Sequence, residues 1–480
     1  MDLPLITKVL RPGHCDPLFL LNKLGSVRDY LALLESANRT SGNDLSYLAF
    51  GARDVITVRD GAVFGSRYVM DGEIKDPLAV FSELVGAGKE KGRLRMGYIG
   101  FLSYESARYF EVLDLKPDPG IPDALFFLPE ILLKIDHRRK EVTVTAHRDT
   151  NENLVHIEEV ILSSCFPAAA TPRRRRPPKA RRNRDAASLL RGIKQPLQKD
   201  ITSIRQTTTE DFCRDIETIK EKILDGEAFQ VVLSQEMRMK EKSSPEKVYE
   251  QLRNVSPSPY MYFLKTPDLQ IVGASPETLV RVDDRRILYR PIAGTRKRTG
   301  DEGRDKLMRR ELLSDEKERC EHQMLVDLGR NDIGRVAEIG SVELKNPFRI
   351  ETFAHVYHLV SDIVARVRSD LKPIDVLRAV FPAGTLTGAP KIRAMKIIRD
   401  LEKKPRGIYG GAFGYFDLSG NIDFAIMIRS MLFQNGAISL RAGAGIVNGS
   451  VPEREDSECL NKARSCLEAI RLADLSPSLQ

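Results

Sequence analysis

The side chains whose types and spacing can do chemistry fall in the second half of this chain. Glu318 and Glu321 are three residues apart, and Glu455 and Glu458 repeat that spacing further on, with Lys462 four residues beyond. On a helix, residues three or four apart share a face, so each pair presents two carboxylates side by side. Two such pairs facing one another would make an all-oxygen site suited to Mg2+, which binds through carboxylates and keeps several waters. Taken singly, each has an ordinary reading. Glu321 could pair with one of the many arginines, and Glu453, Glu455 and Glu458 could favour a helix N-terminus, with one surface ion pair to Lys462. His358 lies on an alternating segment between Val356 and Val360, which half-buries the imidazole and suits it to acid–base work. His355 is no metal partner for it, because residues three apart on a strand face opposite sides. Arg429, within IDFAIMIRS, and Tyr409, within GIYGGAFGYF, put polar tips on apolar strands. Either could be a satisfied core residue, and together they could hold a carboxylate.

The elements that must position these groups follow from periodicity. A helix is expected over Asp315–Leu328, with Asp315 as N-cap and Glu318 as its reciprocal partner in a capping box. Cys320, Met324 and Leu328 recur every four residues as its core stripe, so Glu321, one residue off, is carried toward the interior. A buried carboxylate needs a cation, a proton or donors. Further helices are expected over Ser26–Glu35, Asp211–Leu224, Ile374–Val380, Lys391–Leu401 and Glu455–Ala473. Strands are expected over Leu45–Phe50, Val55–Val58, Ala228–Met237, Gln270–Val282, Arg286–Ala293, Val356–Val367, Ile408–Phe416, Ile422–Phe433 and Ala437–Ile446. Residues Asp417–Asn421 form a hairpin turn with Gly420 at positive φ. Many strands in succession with interspersed helices predict an α/β or α+β fold with large, mainly antiparallel sheets. Gly384–Lys391 superficially resembles a phosphate loop, but its spacing is wrong and Pro390 spoils the cradle. Arg441–Gly445 ends a strand in small residues, either an anion-binding turn or a bulge.

Composition narrows the function classes. A 480-residue chain with 42% hydrophobic and 30% charged residues is that of a soluble globular protein. Its longest apolar run, Ala124–Ile135, is too short to span a bilayer, and the N-terminus has no signal-peptide pattern. Six scattered cysteines without paired spacing suit reduced thiols in the cytoplasm, with no CxxC pair for zinc. The net charge of +8 does not describe a nucleic-acid-binding face. Segment 172–185 alone holds eight Lys/Arg against one Asp, so seven of the eight charges sit there and the other 466 residues are nearly neutral. That Pro/Arg-rich, aromatic-free run is expected to be a solvated linker. It divides the chain into an N-terminal region (1–168), a linker (169–200) and a C-terminal domain (201–480). The chain has no tryptophan, which would fit a protein made when tryptophan is scarce, though chance or composition bias explains it as simply.

AFQVVLSQ (Ala228–Gln235), GASPE (Gly273–Glu277), PIAGTR (Pro291–Arg296), KERCEH with LVDLGRND (from Lys317 to Asp332), FPAGTLTGAPKIRAM (Phe381–Met395), GIYGGAFGYF (Gly407–Phe416) and RAGAGIV (Arg441–Val447) strongly resemble the chorismate-utilising enzymes. Within that family they are most similar to the large, aminating subunits of anthranilate synthases. The resemblance covers roughly residues 205–472. It implies that family's fold, antiparallel sheets packed as a sandwich with helices outside, and a conversion of chorismate and ammonia to anthranilate and pyruvate. It further implies Glu321 and Glu458 as Mg2+ ligands, with Glu318 and Glu455 behind them through water. Glu277 would protonate the departing C4 hydroxyl while ammonia attacks C2, and His358 would assist loss of pyruvate. Tyr409 and Arg429 would grip the enolpyruvyl carboxylate. Gly443, Gly445, Lys462, Gly294, Thr295 and Thr385 would complete the cradle.

Two positions separate close relatives. Those that add water carry a lysine base where this chain has Gln230, and many aminodeoxychorismate synthases have a nucleophilic lysine where this chain has Ala293. Both point to anthranilate, with aminodeoxychorismate formation as the alternative and a non-catalytic protein binding nucleic acid through the arginine tract as a distant second. None of the cysteines lies in the GxCxG turn of class I amidotransferases, so a separate glutamine amidotransferase subunit is implied as ammonia source. Leu33-Leu34-Glu35-Ser36 and Ser258-Pro259-Tyr260-Met261 resemble the two elements that form the inhibitor pocket of tryptophan-regulated members. Leu33, Glu35, Ser36, Pro259, Tyr260 and Met261 are the residues implied. The Arg-Tyr-Ser usual after the first element is replaced by Asp44-Leu45-Ser46-Tyr47, and Cys459 stands where many relatives have threonine.

Overall fold

A computed structural model describes residues 5–12, 15–24, 28–36, 45–65, 69–70, 76–84, 94, 96–147, 150–164, 204–353 and 356–476. The expected linker and its arginine tract, together with Asp44 and His355, lie outside the described residues. Among the described residues two large sheets, of eleven and twelve strands, carry the architecture, and every pairing between their strands is antiparallel. The expected α+β class and antiparallel sheets are what the chain forms.

The first sheet sends alternate side chains to two cores. Ala32, Tyr47, Ala49, Tyr262 and Leu264 join a cluster shared with the second sheet. Their neighbours Leu31, Leu33, Leu48, Phe50, Met261 and Phe263 pack with the helices Pro17–Leu24, Thr209–Leu224, Pro245–Val255 and Pro452–Leu475. Because both faces are covered, these strands read as nearly continuous apolar runs rather than as an alternation. The N-terminal strands do not form a sheet of their own. Leu31–Glu35 pairs with Tyr260–Lys265 in the first sheet, and Gly97–Leu102 pairs with Ala412–Asp417 in the second.

Several expected elements are corrected. The segment expected as a helix over Ser26–Glu35 contains the strand Leu31–Glu35. Its leucines are covered on both sides, so pairing with two neighbouring strands overrides helical spacing. The single strand expected over Gln270–Val282 is two, Gln270–Ser275 in the first sheet and Thr278–Asp283 in the second, and the chain crosses between sheets at Pro276-Glu277. The strand expected over Ile422–Phe433 is likewise two, Ile422–Ile426 in the second sheet and Ser430–Gln434 in the first. That crossing includes Arg429, held at φ +50°. The two crossings lie against each other: Ile426 N–H donates to Glu277 O at 3.1 Å, and Ala274 N–H to Arg429 O at 3.2 Å. Strand Ala437–Ile446 and helix Lys391–Leu401 have the expected bounds, and Gly420 turns the hairpin at φ +94°.

Candidate functional site

The helix Glu316–Gly334 starts where expected. Asp315 is its N-cap, accepting the Glu318 N–H at 3.1 Å. The capping box does not close: the Asp315 N–H goes back to Glu311 O at 2.9 Å, and the Glu318 carboxylate takes the Arg296 guanidinium at 3.0 Å. Arg296 also holds Asp315 at 2.6 Å. The core stripe is corrected too. His322, Leu325, Val326, Gly329 and Ile333 are buried, whereas Cys320 is exposed and Met324 and Leu328 are half-buried. The apolar face is rotated from the expected one because the large strand Val356–Arg366, not the stripe's own spacing, sets which side is covered. His322 is wholly buried and pairs with Ser361 Oγ on that strand at 2.7 Å.

The half-buried Glu321 finds a donor rather than an arginine. Gln230 Nε2 donates to its Oε1 at 3.3 Å. Burial raises the Glu321 pKa first and the nearby Glu318 charge adds to it, while Gln230 and Lys462 lower it. Lys462 reaches the other carboxylate pair, bridging Glu458 Oε1 at 2.9 Å and donating to Gly443 O at 3.1 Å. Glu455 is half-buried and Glu458 exposed on the helix Pro452–Leu475. Among the described residues no three His, Cys, Asp or Glu side chains converge to hold a metal ion. A Mg2+ site built from one or two carboxylates, a substrate oxygen and waters does not need three. Glu321 fits that requirement, with hard oxygen donors and a like charge beside it that a cation would offset.

Glu277, at its sheet crossing, is buried. Burial pushes its carboxyl up to about 8, against lowering contributions from the Thr385 hydroxyl, Arg429 and Lys462. The Thr385 hydroxyl is buried and has no other partner among the described residues. Arg429 faces the same space, and burial lowers its pKa. Its guanidinium makes no hydrogen bond or ion pair among the described residues. Only the Cys466 thiol and the Glu277 carboxyl raise its pKa against that burial, so an anion arriving here would meet a cation with capacity to spare.

His358, on strand Val356–Arg366, is buried rather than half-buried. Its Nδ1 lies 2.9 Å from Gly294 O and 3.2 Å from Thr295 Oγ1. A carbonyl can only accept, so Nδ1 carries the proton and Nε2 keeps its lone pair. Burial brings the imidazole pKa down to about 4, so this ring stays neutral, with its Nε2 lone pair available, across the physiological range. Gly294 is the bulged residue between Ala293 and Thr295, at φ +62°, and a Cβ there would sit 2.8 Å from Leu312 and 3.1 Å from the Glu318 carboxylate. Gly443 and Gly445 are excluded from bearing side chains by close approach. Added Cβ atoms would meet the Tyr409 hydroxyl at 2.7 Å and Gln230 Nε2 at 2.5 Å. Tyr409 itself is buried. Cys459 is buried with its S–H donated to Ala442 O at 2.9 Å, and burial pushes the thiol up to about 12. It therefore acts as a neutral donor.

The two elements expected to form an inhibitor pocket are adjacent strands, with Met261 opposite Glu35. Their side chains divide between faces. Leu33 and Met261 join the helix-side core, and Glu35 is buried there against the Tyr249 hydroxyl at 3.0 Å and Arg253 at 3.1 Å. Tyr260 faces the other sheet, donating to Asp423 at 2.9 Å. Ser36 and Pro259 are half-buried at the ends of their strands. A small cavity of about 20 Å3, lined by Tyr47, Arg281, Tyr415 and Asp423, lies beside Tyr260's partner.

Sequence reasoning missed the buried charges behind this space. Arg406, Glu402, Arg441 and Ser234 form one network, Glu105 reaches into it from the N-terminal region, and Lys391 pairs with Asp332 at 2.6 Å. Only the apolar setting of each charge signalled them. Among the described residues no helix is long and apolar enough to cross a membrane.

The chorismate binding enzyme family matches residues 31–468 of this chain. Anthranilate synthase component 1 of Aquifex aeolicus is 39% identical over 99% of this chain and 96% of its own length. That of Acetivibrio thermocellus is 41% identical over 85% of this chain and 82% of its own. The crystal structure of anthranilate synthase component I from Streptococcus pneumoniae superposes with a TM-score of 0.74 at 34% identity, covering 88% of this chain and 92% of that one. With the family match running from residue 31 to residue 468 and relatives about 40% identical over most of their length, this chain belongs to the chorismate binding enzymes.

Proposed function

We propose that this chain is the aminating subunit of an anthranilate synthase, converting chorismate and ammonia to anthranilate and pyruvate in tryptophan biosynthesis. The observation that carries this reading is the juxtaposition of Glu277, protonated up to about pH 8, with the unpaired guanidinium of Arg429. Chorismate brings two carboxylates and a hydroxyl that must leave as water. Arg429 and Tyr409 receive the enolpyruvyl carboxylate in charge-assisted hydrogen bonds. In the first stage the C2–N bond forms, the ring double bonds shift and the C4–O bond breaks. Glu277 supplies the proton that turns the departing hydroxyl into water. Gln230 stands where water-adding relatives have a base, so it cannot activate water, and its amide instead orients Glu321. In the second stage the C2–H and C3–O bonds break, the side chain leaves as enolpyruvate, which takes a proton on its methylene carbon to become pyruvate, and the ring becomes aromatic. His358 Nε2, free and neutral, takes the C2 proton. Mg2+, held by Glu321 and Glu458 with Glu318 and Glu455 beyond them, would neutralise the ring carboxylate when bound.

The reading is tested with purified protein, chorismate, Mg2+ and ammonium, followed by anthranilate fluorescence and product chromatography. Wild type should release anthranilate and pyruvate in equal amounts. Glu321→Ala should lower kcat/KM about 10²–10³-fold, the several kcal/mol of charge stabilisation a metal supplies, and should raise the Mg2+ concentration giving half-maximal rate. An aminated product that retains its pyruvyl group would overturn the assignment to anthranilate.

Glutamine would serve as ammonia source only through a separate amidotransferase subunit. Tryptophan would inhibit through the paired strands at Ser36 and Tyr260, shifting a two-state equilibrium between the halves. Replacing Ser36 with arginine should abolish inhibition by tryptophan and leave turnover within about twofold; inhibition curves that overlay wild type would sink this site.

A further inference from the structure

One buried cation, Arg406, stands behind the substrate cradle, stacked on Tyr409 and bonded to residues beside other members of the cradle. Arg406 donates to Val232 O and to Leu386 O, both at 2.7 Å. It also grips both oxygens of Glu402, at 2.6 and 3.0 Å. Its guanidinium lies between the rings of Tyr104 and Tyr409, 4.8 and 5.6 Å from their centroids. Val232 is two residues beyond Gln230 and pairs with Gly445, and Leu386 follows Thr385. The elements carrying Gln230, Gly445, Thr385 and Tyr409 therefore meet on this one side chain.

The backbone of Arg406 is held just as firmly, and from the other half of the chain. Glu105, in the short 3-10 turn Tyr104–Tyr109, accepts the N–H groups of Arg406 at 2.6 Å and of Gly407 at 3.0 Å. The preceding Tyr104 N–H donates to Gly407 O at 2.8 Å. Glu105 is 3% exposed and Arg406 4%. Two parallel N–H donors need two acceptor oxygens at glutamate's reach. Aspartate is too short, and glutamine offers one acceptor and turns an N–H against the other donor.

We infer that Glu105 and Arg406 are positioning residues that fix Tyr409 for the substrate carboxylate, so that the N-terminal region is part of the active site and not only its regulator. The inference rests on the proposed reading for its substrate. Tyr409 grips a carboxylate present in both ground and transition states, and a loosened grip of that kind appears in KM with kcat kept. A displacement of about 1 Å at such a site costs up to about 10²-fold.

The test measures chorismate KM and kcat for Glu105→Gln, Arg406→Lys, Tyr409→Phe and the double variant of Glu105→Gln with Tyr409→Phe. Glu105→Gln and Arg406→Lys should each raise KM about tenfold or more while kcat moves less than about threefold. In the double variant the Glu105 substitution should add less than twofold to the Tyr409 effect, because contacts acting through one group are not additive. Amide hydrogen exchange over residues 405–411, measured without substrate, should quicken at least tenfold in both Glu105→Gln and Arg406→Lys. Independent, multiplying KM effects, or unchanged exchange, would overturn the inference. If one variant does not fold, the other supplies the same readouts. A wild-type protein that makes no anthranilate removes the proposed function, and the exchange measurement then decides the clamp by itself.

Discussion

Glu277→Gln should lower kcat for anthranilate formation about 10²–10⁴-fold, the range set by losing a positioned general acid, with chorismate KM little changed. The shape is isosteric and the Thr385 hydroxyl keeps a partner, so what is lost is the proton. The pH profile tests this more sharply than the rate. Burial holds the Glu277 carboxyl near pH 8, well above the carboxylates of an open surface. Wild-type kcat should therefore hold through neutrality and fall as pH rises past about 8, where the acid ionises. The residual rate of Glu277→Gln should lack that alkaline limb. His358, neutral down to about pH 4, contributes no competing limb between pH 5 and 8. Stability gives a second readout that needs no turnover. The folded carboxyl keeps its proton where the unfolded chain, with an ordinary pKa of 4.5, has released it. Its contribution is thus fully present below pH 4.5 and is lost as pH rises from there through about 8. Glu277→Gln should be more stable than wild type at pH 8 and about equal at pH 4. A melting-temperature difference that does not depend on pH would show that Glu277 is ionised in the fold, and would remove it as the acid.

Much of this site was legible because its motifs are short, local and chemically specific. The helix bearing Glu318 and Glu321, the strand bearing His358 and the glycines at 294, 443 and 445 are where the residues imply. What could not be read was the third dimension between them. Gln270–Val282 and Ile422–Phe433 each look like one long apolar strand, yet each breaks where the chain passes from one sheet to the other, at Glu277 and at Arg429. Pro276 was a signal for the first break, since proline argues against an uninterrupted central strand. Nothing marked the second, because an arginine at φ +50° is exceptional and only tertiary contacts hold it there. The same cause makes Leu31–Glu35 a strand and turns Cys320 outward. Leucine spacing there suits a helix face, and the neighbouring sheets decide otherwise. Glu105 and Arg406 escaped notice for a different reason. A buried ion network acts through partners as much as 302 residues away, and no window along the chain contains both.

Arg429→Gln should weaken chorismate binding and strengthen the fold, and the opposite signs are the point. In the free protein Arg429 sits at the sheet crossing, half-buried, with its charge partly desolvated and its guanidinium without a hydrogen bond or ion pair among the described residues. That is a cost to the folded state which the nearby Glu277 and Cys466 offset only in part and which glutamine removes, whereas the left-handed backbone is kept by either side chain. The cost is met when a carboxylate arrives, because a bidentate guanidinium–carboxylate pair is among the stronger polar interactions available to a protein. Truncating one partner of such a pair costs about 2–5 kcal/mol, or roughly 30-fold to several thousandfold in affinity. Chorismate KM should rise by that range in Arg429→Gln, with Arg429→Lys recovering only part because a point charge cannot replace the fork. The substrate-free melting temperature should rise, as it does where activity requires a strained or uncompensated site. Adding chorismate should then stabilise wild type far more than the variant, since a ligand stabilises only the state it binds. If instead Arg429→Gln melts below wild type without substrate, the guanidinium is a structural element of the crossing, and the carboxylate grip must lie with Tyr409 and Lys462.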